Sequence, residues 1–357
     1  MRLIVDALAA DFGGIRTYVE NLLAAWDDEH RDTLDDELLV LVREGSDLAT
    51  GRHARHEVRI PRPAPVGRPW RQSVVTRQLV RDFRADAVLA TMPSISLVRV
   101  GVPLGVVIHD LRHELRPEQF SRPRRLLRKV AYDRAYALAD VIISVSQRSL
   151  DDLHKLHPSL QQTPARVVHH GADHVLSWPD VPARSGPAIT FAHHTNKNPD
   201  LVLDAWAYGV RQGLDLPSLQ ILGTGDQRNA LNSRVAELGL TGLVTLAPYL
   251  PEPEFREAMA SASMIVFPSD FEGFGLPIVE GMRLGIPVVI GPEPASLEVA
   301  EGHASVMSSF SAPGLADAVV RASRFDEAHR EAARQHAAEF TWARATQQTR
   351  AALTLAP

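Results

Sequence analysis

The chain has 357 residues, 45% of them hydrophobic and 23% charged, with a formal net charge of -5. That length exceeds one ordinary core and implies two domains. The composition is that of a soluble globular protein, and an acidic total argues against a broad nucleic-acid-binding face. No run approaches the ~20 apolar residues a bilayer span requires. With no cysteine there are no disulfides and no thiolate metal sites, so a cytoplasmic setting is expected.

Along the chain, short apolar runs alternate with longer amphipathic ones, which predicts βαβ units and parallel sheets. The N-terminal run is interrupted by Asp6 and reads as a first strand, LIVDA, rather than as a signal peptide. ELLVLV, DAVLA, LGVVIH, VIISVS and ARVVHH follow as strands, with helical patterns in GIRTYVENLLAAW and RRLLRKVAYDRAYALA. Gly171–Pro187 is rich in Pro, Gly and Asp, a linker composition. The pattern then restarts. PAITFAHH, SLQILG, LVTLA, SMIVFPS and IPVVIG read as strands, and NPDLVLDAWAYGV, QRNALNSRVAELGL and EPEFREAMASA as helices. The tail, FTWARATQQTRAALTLA, is a helix capped by Thr341. The expected architecture is α/β: two Rossmann-like, doubly wound domains, 1–172 and 188–338, facing across a cleft. Residues 173–187 link them, and a C-terminal helix, 339–357, is able to cross back to the first.

Charge is uneven. Residues 1–170 hold 25 Lys+Arg against 22 Asp+Glu, and the remainder 13 against 21. Nine arginines lie between Arg52 and Arg84, and SRPRRLLRKV is basic and amphipathic. Solvated helix faces are the plain reading. Docking to an anionic acceptor or, peripherally, to a membrane surface is the other. Only three of the 38 basic residues are lysine, among them Lys197, which marks that position for attention.

The stretch SDFEGFGLPIVEGMRLGIPVV carries Glu272 and Glu280 around a glycine loop. It follows a near-continuous apolar strand and enters a helix near Pro277, so Gly273–Leu276 falls at a helix N-terminus beyond the carboxyl end of a strand. Ligands of open α/β sheets bind there, and free N–H groups with the helix dipole favour phosphate. Two carboxylates beside a phosphate seat suit a ligand with phosphate in the middle and polyols at both ends, the layout of a nucleotide sugar.

EGFGLPIVEG resembles the E-x7-E signature of retaining GT-B glycosyltransferases, especially glycosyltransferase family four. GGIRTYVENLL, VVIHDL, VVHHGAD, NKNPDLVLDAW and GTGDQRNAL resemble further motifs of that family in order. The resemblance implies the GT-B fold, an acceptor-binding first domain and a nucleotide-sugar-binding second one. It implies transfer of a hexose or deoxyhexose from a UDP- or GDP-sugar to a hydroxyl acceptor, by front-face attack, with no cofactor and no bound metal. The acceptor would be a sugar, a natural product or a lipid-linked glycan. Glu272 would hold donor-sugar hydroxyls and Glu280 the ribose. Gly273, Phe274, Gly275 and Leu276 would offer backbone N–H groups, and Lys197 would neutralise the leaving diphosphate. Gly13 and Gly14 would approach that diphosphate, His109 would face the reacting bond, and Tyr249 and Leu250 would lie near the base. The sequence departs from the family where an arginine is usual: Ala192 and Asn196 stand five positions and one position before Lys197. His194 and Asn196 are the expected substitutes. Gly281 stands where the family usually has alanine, at a helix cost of about 1 kcal/mol. The alternatives are a non-catalytic nucleotide-sugar or glycan-binding protein, and a nucleotide-sugar epimerase on the same fold.

Overall fold

The computed structural model describes residues 1–10, 13–29, 36–61, 64–94, 96–181 and 185–355. The chain divides into two compact units, Met1–Gly171 with Thr341–Pro357, and Ala172–Phe340.

The first unit contains β1 (Arg2–Asp6), β2 (Glu37–Arg43), β3 (Ala54–Val58), β4 (Ala87–Ala90), β5 (Leu104–Ile108), β6 (Val141–Ser144) and β7 (Ala165–Val167). They form one parallel sheet in the order β3-β2-β1-β4-β5-β6-β7. Every residue of β4, β5 and β6 is buried, as continuous apolar strands covered on both faces must be. The helix Gly13–Glu29 turns Tyr18, Val19, Leu22, Leu23 and Trp26 inward at helical spacing. The tail helix, Trp342–Thr354, packs on it: Thr346 Oγ1 donates to Leu22 O at 3.3 Å. Asp36 ties the two together, accepting from Trp26 Nε1 at 3.2 Å and from Arg350 Nε at 2.8 Å. These partners outweigh the cost of burial and hold the Asp36 carboxyl down at about 2. Thr341 caps the tail helix by accepting from Arg344 N at 3.1 Å.

The second unit repeats the plan with β8 (Ala188–Phe191), β9 (Leu219–Leu222), β10 (Val244–Leu246), β11 (Met264–Phe267), β12 (Val288–Ile290) and β13 (Ser305–Val306). This sheet is also parallel, in the order β10-β9-β8-β11-β12-β13. In each sheet the order reverses once, between β1 and β4 and between β8 and β11. Crossover helices leave a crevice at such a reversal, outside the carboxyl ends of the strands.

Two strands have no counterpart in the sequence reading. β3 and β13 are sheet edges. β3, ARHEV, is largely exposed and polar, and β13 has only two residues, so neither carries an apolar run. The segment read as a linker also differs. Asp173–Ser177 is a 3-10 turn of the second unit, with Val175 and Trp178 buried and the Trp178 ring edge-on to Phe255. Its Pro and Gly content obscured two apolar anchors. Residues 182–184 of that segment lie outside the described ones.

Candidate functional site

The order reversal of the second sheet brings together two loops. Beyond β8 the chain makes a 3-10 turn, Thr195–Lys197, and enters the helix Pro199–Gln212 through Asn198, whose φ of 52° is left-handed. Asparagine tolerates that conformation better than most residues. Asn198 also donates through Nδ2 to Pro268 O at 3.0 Å. Beyond β11, Pro268–Gly275 leads into the helix Leu276–Arg283.

A dense set of hydrogen bonds locks one loop on the other. Asn196 Nδ2 lies 3.0 Å from Ser269 Oγ, 2.7 Å from Phe271 O and 3.1 Å from Glu272 Oε1. Asp270 N and Ser269 Oγ donate to Asn196 O at 3.1 and 2.9 Å. Lys197 Nζ donates to Glu272 Oε1 at 2.5 Å and lies 4.1 Å from the centre of the Phe267 ring. Lys197 is buried and Glu272 partly so. Little water reaches the pair, so the attraction between ammonium and carboxylate is weakly screened. Sequence-distant residues thus converge: the conspicuous lysine, the first glutamate of the motif, and Asn196, which immediately precedes the lysine. The Asn196 amide is directed into the loop, so it braces Glu272.

Glu280 sits on the helix after the loop and is buried. His174 Nε2 lies 3.2 Å from Glu280 Oε1, and the His174 ring packs edge-on against Trp178. The histidine comes from the 3-10 turn Asp173–Ser177, 106 positions away, and no local signal in the sequence could have paired them. Gly275 caps the helix with φ +97°, a value side chains rarely adopt, and Ile278 N donates to Gly275 O at 2.9 Å. Gly273 is partly exposed, Phe274 is buried with its ring against Phe340, and Leu276 and Pro277 open the helix. Gly285, with φ +69°, follows the helix end. Glu298 falls inside the helix Pro294–Ala300. The acid that starts this helix is the buried Glu293, which accepts from Ser296 N at 2.9 Å.

His194 is exposed beside His193, their rings 4.9 Å apart, and the exposed Tyr249 reaches the same His193 ring at 6.3 Å. Leu250 is half-buried next to it. These residues flank the Lys197 turn on the β9 and β10 side of the sheet.

The remaining residues lie in the first unit. Gly13, with φ +66°, and the exposed Gly14 begin the first helix. His109 follows β5, and its Nε2 lies 2.8 Å from Thr91 O. A carbonyl only accepts, so Nε2 carries the proton. Burial pushes the imidazole below its ordinary range, so the neutral ring offers Nδ1 as acceptor at pH 7. Tyr18 and His170 pack around it, with centroids 5.1 and 5.7 Å from the His109 ring. His170 also stacks on Trp342 at 5.7 Å, completing an aromatic cluster around His109.

Known proteins resemble this chain at both levels. A family model described as Glycosyltransferase Family 4 matches residues 12–176, and one described as Glycosyl transferases group 1 matches residues 188–324. A D-inositol 3-phosphate glycosyltransferase 1 of Catenulispora acidiphila is 30% identical over 279 residues, 69% of this chain and 65% of its own length. A D-inositol 3-phosphate glycosyltransferase of Jonesia denitrificans is 26% identical over 277 residues, 68% of this chain and 64% of its own. The chain thus spans just under two thirds of the length of these relatives. The structure of HepE from Anabaena, in complex with UDP and glucose, superposes with a TM-score of 0.75 at 18% identity, covering 99% of this chain and 100% of the other. That likeness identifies the fold as GT-B.

Proposed function

The chain belongs to the group 1, family 4 glycosyltransferases, and on that premise we propose that it transfers a hexosyl or deoxyhexosyl group from a nucleoside-diphosphate sugar to a hydroxyl acceptor. The observation that carries the proposal is the Lys197–Glu272 pair at the order reversal of the second sheet, beside a glycine-capped helix N-terminus. Breaking the bond between the anomeric carbon and the diphosphate leaves negative charge on phosphate and positive charge on carbon. Lys197 and the start of the helix Leu276–Arg283 stabilise the first. Glu272, held by Lys197 and Asn196, is positioned to accept hydrogen bonds from donor-sugar hydroxyls. Glu280, shared with His174, is the acceptor for ribose hydroxyls.

We read the reaction as retaining. The acceptor oxygen attacks the face that the diphosphate leaves, its proton passes to a departing phosphate oxygen, and no protein carboxylate forms a bond to carbon. No bound metal is required in this reading, since Lys197 supplies the counter-charge. The donor is a UDP- or GDP-sugar, with UDP the first to test because HepE is described with UDP. The acceptor is a sugar, a natural product or a lipid-linked glycan, and inositol phosphates lead that panel because the two relatives are named for one. A cysteine-free chain fits a cytoplasmic setting.

A thermal-shift panel of nucleotide sugars identifies the donor. Ligand at 100 times its Kd adds about 2.7 kcal/mol of stability. With that donor, Lys197→Ala and Glu272→Gln are each expected to lower kcat/KM by roughly a hundredfold or more. Near-normal values in both variants would sink the role assignments. Tight donor binding with no turnover on any acceptor would instead favour a binding protein.

A further inference from the structure

The helix Arg122–Leu138 is built against the rules for a helix that faces water. Its first turn contains Arg122, Arg124 and Arg125 and no acid, so cations sit at the positive end of the helix dipole. Pro123, Leu126, Leu127 and Val130 recur at i, i+3, i+4 and i+7, which puts them on one face. Leu126, Leu127 and Val130 are 64%, 42% and 57% exposed. The buried residues, Tyr132, Ala135, Tyr136 and Leu138, all come from its second half, and the first three turn the opposite way. The first half therefore presents an apolar stripe outward, with Arg122 and Lys129 along one flank and Arg124 along the other.

The apolar surface continues past the helix. Arg134, one turn beyond Val130, donates through Nε to Leu97 O at 2.7 Å, and Leu97 N donates to Ser73 Oγ at 2.8 Å. Leu97, Val98 and, on the helix Ala64–Asp82, Trp70 and Val74 are exposed as well. On the basic side, the guanidinium groups of Arg112, Arg124 and Arg128 crowd around the Phe120 ring at 5.6, 5.8 and 4.9 Å. Like charges crowded near a helix N-terminus and exposed aliphatic side chains are each unfavourable in water. A polyanion such as nucleic acid relieves only the first. One surface relieves both: lipid phosphates over acyl chains.

We propose that this face of the first unit docks on an anionic lipid bilayer. The helix lies in the interfacial plane, with Leu126, Leu127 and Val130 in the headgroup region and the flanking arginines on lipid phosphates. Among the described residues no helix is long and apolar enough to cross a membrane, and the contact proposed is an interfacial one. The inference is independent of the transferase reading, because it uses no residue of the donor site.

The test is sedimentation of the purified chain with vesicles of equimolar phosphatidylglycerol and phosphatidylcholine, beside vesicles of phosphatidylcholine alone. Binding is expected to the anionic vesicles and to weaken with salt. Leu126→Glu with Val130→Glu should lower it by at least about tenfold. Arg122→Ala, Arg124→Ala and Lys129→Ala together should lower it by roughly a hundredfold. These positions are exposed, so nucleotide-induced thermal shifts should not change. Should the glutamate pair unfold the chain, the alanine triple carries the test. Equal binding to both vesicle types, no binding to either, or unchanged binding of the alanine triple overturns the proposal. So does a self-associating chain that Val130→Glu makes monomeric but that ignores lipid, since the face would then belong to a second copy.

Discussion

Gly281→Ala sets helix propensity against packing. Gly281 lies inside the helix Leu276–Arg283, and there an alanine should gain about 1 kcal/mol. The structure reverses the expectation. A Cβ on Gly281 would stand 2.9 Å from Val288 Cγ2, 3.0 Å from Ile265 Cγ1 and 3.6 Å from Ile265 Cβ. Both neighbours are buried, on β12 and β11, and both are β-branched, so they cannot rotate away cheaply. Overpacking of this kind costs about 1–3 kcal/mol. Less the propensity gain, Gly281→Ala should destabilise the second unit by about 1 kcal/mol. A two-unit chain need not unfold in one step, so a bulk melting curve is the wrong probe. Amide hydrogen exchange of Ile265–Phe267 and Val288–Ile290 reads these strands directly, and it should quicken about fivefold. Exchange slowed by a similar factor would refute the packing argument and return Gly281 to a simple helix weakness.

Gly275→Ala should act through the backbone. At φ +97° a side chain is strained by about 1–3 kcal/mol, and the new Cβ would stand 2.9 Å from Ile278 Cδ1. Weaker nucleotide binding and faster exchange at residues 276–280 are expected; an unchanged Kd would mean the loop does not depend on that conformation. The buried Asp6 predicts a pH dependence. Burial, opposed by hydrogen bonds from Leu8 N and Gln72 Nε2 and by the Arg68 charge, pushes its carboxyl up to about 6. Between pH 4 and 6 the folded chain holds a proton that the unfolded chain has released. Stability contributed at this site is therefore complete at low pH and falls by about 3 kcal/mol as pH rises through 6. Hydrogen exchange of the β1 amides across pH, corrected for intrinsic rates, should show that fall, and Asp6→Asn should flatten it; an identical profile in the variant would exclude Asp6 as its source.

Much of the fold is legible because parallel strands buried on both faces must be apolar throughout. β4, β5, β8, β11 and β12 announce themselves in this way. Edge strands escape that requirement, which is why ARHEV and Ser305–Val306 are silent in the sequence. The glycine loop and its two glutamates are local and periodic, so SDFEGFGLPIVEG already places them at a helix start.

Partnership is another matter. That Lys197 meets Glu272 and not solvent, that Asn196 turns inward to brace the loop, and that His174 holds Glu280 all depend on segments 70 or more positions apart being brought together. Hydrogen bonds depend on distances of a few tenths of an ångström, and no composition or spacing encodes those. The sequence alone determined the α/β class, the two-part plan, the glycine-loop motif and the family resemblance, because each follows from local pattern. Only the tertiary structure decided which charges are paired, why position 281 has no room for a methyl group, and that the basic helix turns its leucines outward. Those depend on what packs against what, and packing exists only once the chain has folded.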